Sequence, residues 1–293
     1  MADYKHMNQA VQTLLDILDL ERADDDIFFG KTPCDRRKRI FGGQLVAQAL
    51  MAAGRSASHG QVHSLHCYFL KPGRVLIPIR YQVKCIKDGK NFVTFQVAAF
   101  QDQDQIFVLM SSFHDEEIGI SHQPPMPEVP GPLTLPTLTE RIKPWEDQLG
   151  DWNFRLRPFD QRYVYPPNFQ IQDGPRDPNQ KLWVKAYDTL PDDPLIHSCA
   201  FAFASDSMLV DSVLLPHKLS TLNSKLRIAS LNHAIWFHRP FRADQWFLYD
   251  QESPTANAGR AIVRGHIFAN QGIHVASVTQ EVLVRVGLGK DPN

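Results

Sequence analysis

The chain has 293 residues, 43% of them hydrophobic and 22% charged, the balance of an ordinary folded protein with a substantial core. Lys and Arg number 31 against 32 Asp and Glu, so a formal net charge of −1 gives no global attraction to nucleic acid or to an anionic membrane. Cys34, Cys67, Cys85 and Cys199 lie far apart with no C-x-x-C pair, which argues against a zinc knuckle, a redox dithiol or a disulfide scaffold and suits a reducing, cytoplasmic compartment.

In chain order, "MADYKHMNQAVQTLLDILDL" has the spacing of an acidic amphipathic helix, and no segment reaches the roughly 18 apolar residues that span a bilayer. The one local excess of positive charge is Arg36, Arg37, Lys38 and Arg39, read either as a solvated surface or as a partner for phosphates. Residues 42–57, "GGQLVAQALMAAGRSA", are rich in good helix formers and follow two glycines, which predicts a helix. Alternating runs such as "FVTFQVAAF", with turn signals at "KDGKN" and "QDQDQ", then predict antiparallel strands and hairpins. From Pro124 to Pro178 prolines discourage regular structure, predicting a linker with short elements such as "LTERIKPWEDQL", whose Trp145, Trp152 and Phe154 pack on the domains. Residues 195–215 follow Pro194 and read as a second apolar helix. "AIVRGHIFA", with turns at "TANAG" and "ANQG", closes the chain with more strands, and the terminal "GLGKDPN" carries no targeting tripeptide.

The two strand-rich regions are copies. "CYFLKPG" at 67–73 lies over "IWFHRPF" at 235–241 with Pro72 on Pro240, an offset of 168. The same offset carries Tyr81 to Tyr249 and Phe100 to Phe268 without a gap. An apolar helix followed by long antiparallel strands buries itself against a curled sheet, so an α+β fold with two such units is expected: 1–118, a proline-rich linker at 119–180, and 181–293.

Familiar chemistries lack their signatures. There is no G-x-S-x-G elbow, no G-x-G-x-x-G and no P-loop, and the pairs His63/His66 and His233/His238 sit at odd spacings on strands, unsuited to a shared metal. Hydrolysis without a nucleophilic side chain needs a carboxylate to take a proton from water and polar groups to hold that water. Asp206, set in the apolar run "SCAFAFASDSMLVDSVLLP", with Ser230 and Gln280 on later strands, could form that set; each is equally readable as an ordinary polar residue. "DDPLIH" offers a rival pair, Asp192 and His197, at the spacing of an enoyl-CoA hydratase of the hotdog type, but with the proline displaced by one position.

"RIFGGQLVAQAL", "VHSLHCYFLKPG", "FASD", "HAIWFHRPF" and "VASVTQE" together resemble the acyl-CoA thioesterase II family, in order and over most of the chain. The resemblance implies a double hotdog fold and direct hydrolysis of fatty acyl-CoA by an activated water, with Asp206, Ser230 and Gln280 at the matching catalytic positions. It also implies substrate contact near "FGGQ", where the amides of Gly43 and Gln44 receive the oxyanion or form a plain glycine turn, and His63 either lines the acyl tunnel or sits in the core. No cofactor or metal is implied, and association into a homo-oligomer, dimer or tetramer, is. Besides the hydratase, a non-catalytic acyl-CoA-binding protein is the remaining alternative.

Overall fold

The structure, a computed structural model, describes residues 7–33, 39–149, 156–170, 174–207 and 209–287. Cys34, Arg36, Arg37, Lys38, Trp152, Phe154 and the C-terminal run from 288 lie outside the described residues.

Helix α1 (Gln9–Leu18) buries Val11, Leu14, Ile17 and Leu18 on one stripe, and Asn8 caps it by accepting from the Ala10 amide at 2.9 Å. A short hairpin follows, β1 (Glu21–Asp24) and β2 (Ile27–Gly30). Helix α2 (Gly42–Ser56) is buried without interruption from Gly43 to Ala53, and the side-chain amides of its two buried glutamines, Gln44 and Gln48, donate to the Lys31 and Ile17 carbonyls. Strands β3 (Gln61–Phe69), β4 (Ile79–Asp88), β5 (Phe92–Gln101) and β6 (Asp104–His114) curl over it.

The segment expected as a linker contains α3 (Leu138–Ile142) and α4 (Glu146–Leu149), but also β7 (Phe159–Tyr163) and the start of β8 (Asn179–Ala186). These two strands pair antiparallel at the edge of the second copy, the place that β1 and β2 hold in the first. Prolines flank β7 rather than fall inside it, which lets it pair.

Helix α5 (Pro194–Ser205) stops well short of residue 215, and α6 (Asp211–Leu214) is a separate turn. The break has a local cause. Ser205 donates to the Ala202 carbonyl and the Ser207 amide bonds Ala204, tightening the last turn with short-range bonds of the kind that Ser and Asp favour at helix ends. Strands β9 (Leu226–Phe237), β10 (Phe247–Asn257), β11 (Arg260–Ala269) and β12 (His274–Val286) complete the second copy, and β5 maps onto β11 at the offset of 168 end to end.

Among the described residues the strands form one twelve-stranded sheet, in the order β1-β2-β4-β5-β6-β3-β9-β12-β11-β10-β8-β7. Its midpoint is the antiparallel pairing of β3 with β9, from Ser64↔Trp236 to Tyr68↔Asn232, so the halves are related by a near-twofold and share one core. This is the double hotdog. Among the described residues no helix is long and apolar enough to cross a membrane.

The two central helices run antiparallel in close contact, and glycine makes that possible at both ends. A Cβ on Gly43 would stand 2.3 Å from the Phe203 carbonyl oxygen, and one on Gly54 would stand 2.4 Å from the Leu195 side chain. The start of α2 is thereby set against the end of α5. At the opposite corner Arg55 donates to the Leu20 carbonyl at 2.7 Å and to Asp19 at 3.0 Å, tying α2 to the chain after α1.

Candidate active site

Asp206 is the residue that ends α5, with φ −78° and ψ −15°, and its carboxylate is carried to the start of α2 by the antiparallel helix pair. Gly42 has no side chain for a reason: a Cβ there would lie 2.6 Å from Asp206 Oδ2. The N-terminal end of α2 has no capping side chain, so its positive end favours a carboxylate beside it.

Two strands bring the partners. Ser230 Oγ donates to Asp206 Oδ1 at 2.8 Å, and Gln280 Nε2 donates to the same oxygen at 2.8 Å. Gln280 Nε2 also donates to Ser230 Oγ at 2.5 Å, which closes a triangle. Ser230 lies at an irregularity inside its strand, not at its start. Opposite β12, Gln280 faces His233, Glu281 faces Asn232 and Val282 faces Ser230, which leaves Leu231 as an extra residue. That bulge turns Ser230 and His233, three positions apart, toward one side, where regular alternation would point them apart. His233 Nδ1 lies 3.0 Å from Gln280 Oε1, and its Nε2 lies 2.8 Å from Ser205 Oγ.

Behind these residues Cys67, Ser205, His233 and Tyr249 are all buried. Burial pushes the pKa of His233 down to about 4, against a smaller opposing effect of its bond to Gln280. The Cys67 thiol and the Tyr249 hydroxyl are both held well above their usual range, first by burial and then by the Asp206 carboxylate nearby.

Asp206, Ser230 and Gln280 open on a cavity of about 780 Å³. Its walls come from the start of α2 (Ile40, Phe41, Gly42), from β9 and β12, and from the segment between the copies through Leu138, Leu156, Phe159 and Phe169. Arg39, Arg157 and Arg227 also line it. A second carboxyl, Asp211, lies in the wall with its pKa raised to about 7 by burial, despite hydrogen bonds from Tyr163 and Asn168 that favour the charged form. Asn168 Nδ2 donates to it at 2.5 Å, and Asn168 Oδ1 accepts from the Thr221 amide at 2.7 Å, so this cluster ties the segment between the copies to α6 and the loop beyond.

The remaining expected residues sit elsewhere. The Gln44 amide donates to the Phe41 carbonyl, and its fully buried side chain donates to Lys31 and Thr32, so it presents neither group to the cavity. Gly43 packs on Phe203 and Gly42 takes the place in the cavity wall. His63 is the extra residue of a bulge in β3, packed edge-on to Phe92 and His114 and outside the cavity lining. The rival pair is not assembled: Asp192 bonds Arg242 at 2.6 Å on the surface, and His197 is buried beneath the Ala243 amide. Among the described residues no group of three or more His, Cys, Asp or Glu is arranged to hold a metal ion.

Sequence reasoning missed His233, Gly42, Asp211 and the walls from 156–170. Asp211 carried a legible signal, since it stands in the same apolar run that made Asp206 conspicuous.

Comparisons with known proteins bear on this arrangement. A family model described as acyl-CoA thioesterase matches residues 156–283, and one described as acyl-CoA thioesterase N-terminal domain matches 32–114. Acyl-coenzyme A thioesterase 8 of Homo sapiens is 36% identical over 287 residues, covering 92% of this chain and 88% of that protein. Acyl-CoA thioesterase 2 of Haemophilus influenzae is 35% identical over 285 residues, covering 95% and 99%. Among solved structures, an acyl-CoA thioesterase II from Mycobacterium marinum superposes with a TM-score of 0.78 at 38% identity, covering 94% of this chain and all of that one. A hot dog fold protein from Alicyclobacillus acidocaldarius, at 19% identity and a TM-score of 0.78, shares the fold. With relatives of this identity spanning nearly the whole of it, the chain belongs to the acyl-CoA thioesterase family.

Proposed function

We propose that this chain hydrolyses the thioester of fatty acyl-CoA, releasing CoA and a free acid, by direct attack of one water with no acyl-enzyme. Asp206 is the general base. The observation that carries this reading is the convergence of Ser230 and Gln280 on one oxygen of Asp206 at the wall of a cavity that joins apolar side chains to arginines. Gln280 spends both N–H donors on Asp206 and Ser230, so it fixes the base and the hydroxyl relative to each other. Ser230 Oγ donates once and accepts once, and its second lone pair is the natural acceptor for the attacking water. The amide of Gly42, in the cavity wall at the uncapped start of α2, receives the developing oxyanion, a role the Gln44 amide cannot take because the Phe41 carbonyl already binds it.

The acyl chain lies along Phe159, Phe169 and Leu156, and since each methylene adds only about 0.8 kcal/mol of burial, the preference for chain length is graded. The same reading takes the two copies, 1–118 and 181–293, as hotdog units joined by 119–180, with β7 and the start of β8 in the joining segment extending the sheet of the second unit. It places the protein in the cytoplasm, in keeping with free Cys67, Cys85 and Cys199. It also makes the protein a homo-oligomer, dimer or tetramer, because Tyr68, Met110 and Trp236 stand exposed on the adjoining strands β3, β6 and β9.

The test is CoA release from a series of acyl-CoA esters, followed with a chromogenic disulfide, for the wild type beside Asp206→Asn. Loss of about three orders of magnitude in kcat with the fold intact is expected for the variant. Tight CoA binding without turnover by the wild type would instead favour the non-catalytic acyl-CoA-binding protein.

A further inference from the structure

We infer that His233 is a positioning residue that sets the amide of Gln280 in its working orientation through one specific ring tautomer. The inference rests on the roles proposed above for Asp206 and Gln280.

The hydrogen-bond chain admits one consistent assignment. Asp206 Oδ1 only accepts, so the group of Gln280 that faces it at 2.8 Å is the NH2. Gln280 Oε1 then faces His233 Nδ1 at 3.0 Å, and since Oε1 also only accepts, Nδ1 carries the proton. The ring is neutral at working pH, so Nε2 is bare and takes the proton of Ser205 Oγ at 2.8 Å, in competition with the Ala202 carbonyl at 3.0 Å. In the other tautomer a bare Nδ1 would draw the NH2 of Gln280 toward itself and turn Oε1 onto Asp206 and Ser230. Two acceptors would then meet at 2.8 Å, and the base would lose a donor.

The near-twofold supplies an internal comparison. Both copies carry the same bulge: Val62 and Ser64 flank the extra His63 in the first, and Ser230 and Asn232 flank the extra Leu231 in the second. At the offset of 168, Ser230 and His233 correspond to Val62 and Leu65, and since Leu65 pairs with Ser111 as His233 pairs with Gln280, the counterpart of Gln280 is Ser111. Leu65 is fully buried, so this place in the fold is filled by leucine where no carboxylate set is present. A buried imidazole in its stead sacrifices hydration that a leucine never had, and its hydrogen bond to Gln280 is what compensates.

The experiment uses the full-length enzyme and a saturating straight-chain acyl-CoA, with His233→Leu, His233→Asn, Gln280→Leu and the double variant His233→Leu/Gln280→Leu. Asn places an N–H near the position of Nδ1, and Leu copies the first half of the protein. Expected results are a fall in kcat of about 10- to 100-fold for His233→Leu with KM within about twofold, and recovery of most of it in His233→Asn. The double variant should be no slower than Gln280→Leu alone. Selective 15N-histidine NMR of the wild type should assign the Nδ1–H tautomer to the resonance that His233→Asn removes. Multiplying losses in the double variant, full activity of His233→Leu, failure of Asn to recover it, or an Nε2–H signal would each overturn the inference. If Asp206→Asn and Gln280→Leu keep wild-type kcat, it is the catalytic reading that fails; if only His233→Leu does, that reading stands and this one falls.

Discussion

Asp211 gives the chain a stability that depends on pH in a direction opposite to that of most carboxylates. Burial raises its folded-state pKa from 3.8 to about 7, so between these values the folded chain keeps a proton that the unfolded chain has released. The contribution is full below about pH 4 and is lost as pH rises through about 7. A difference of about 3 pKa units at 1.36 kcal/mol each amounts to something on the order of 4 kcal/mol, of which about 3 kcal/mol falls between pH 5 and pH 8. Asp211→Asn keeps the shape and an oxygen for the Asn168 donor but has no proton to lose. Urea unfolding of both proteins at pH 5, 6, 7 and 8 measures the effect, with wild type declining relative to the variant by about 3 kcal/mol over that range. Histidines with pKa lowered by burial, the half-buried His63 and the buried His197 and His233, act in the other direction in both proteins and cancel in the difference. Parallel curves for the two proteins would refute the assignment of a buried, protonated Asp211.

Gly43→Ala drives a Cβ onto the Phe203 carbonyl, which is backbone and cannot rotate away, so a destabilisation of about 1–3 kcal/mol is expected in the melting curve. Ser230→Ala leaves Asp206 with one donor fewer and should lower kcat by about 10- to 100-fold, while Ser230→Thr keeps the hydroxyl and most of the rate; equal rates for the two variants would remove Ser230 from the mechanism. Phe169→Ala enlarges the cavity wall from the segment between the copies and should move the kcat/KM optimum toward longer or bulkier acyl groups by about tenfold relative to wild type. An unchanged substrate profile would place the acyl chain elsewhere.

The duplicated sheet was legible because β5 and β11 have the same length and pair with β4 and β10 in the same register, so one offset aligned them without gaps. Asp206 and its two partners were nameable from pattern and resemblance, since each is a polar residue in an apolar context. What could not be read was anything decided by close approach or by a change of register. Gly42 and Gly43 are neighbours with one composition, and only the crossing of α2 with α5 determines which touches a carboxylate and which touches a carbonyl. His233 looked like the member of an odd-spaced pair, and only the register of β9 on β12 sets it directly opposite Gln280, while the bulge at Leu231 brings Ser230 to the same side. Strand β7 was hidden among prolines because its pairing is supplied by β8, which lies beyond a second group of prolines.

The antiparallel pair of central helices has two ends, and they have been put to different uses. One end holds a carboxylate at the lip of a cavity; at the other, Arg55 fastens α2 to Asp19 and the Leu20 carbonyl, and α1 packs close by. A doubled fold of this kind separates duties that a single repeat, paired with an identical copy, would have to reconcile in one sequence. Substitutions that tighten the Arg55 corner raise stability without touching chemistry, while changes at the Asp206 corner alter chemistry with the opposite corner still holding the helices together. The stoichiometry follows as well: titration with a tight-binding inhibitor should count one site per chain rather than one per repeat, however many chains assemble.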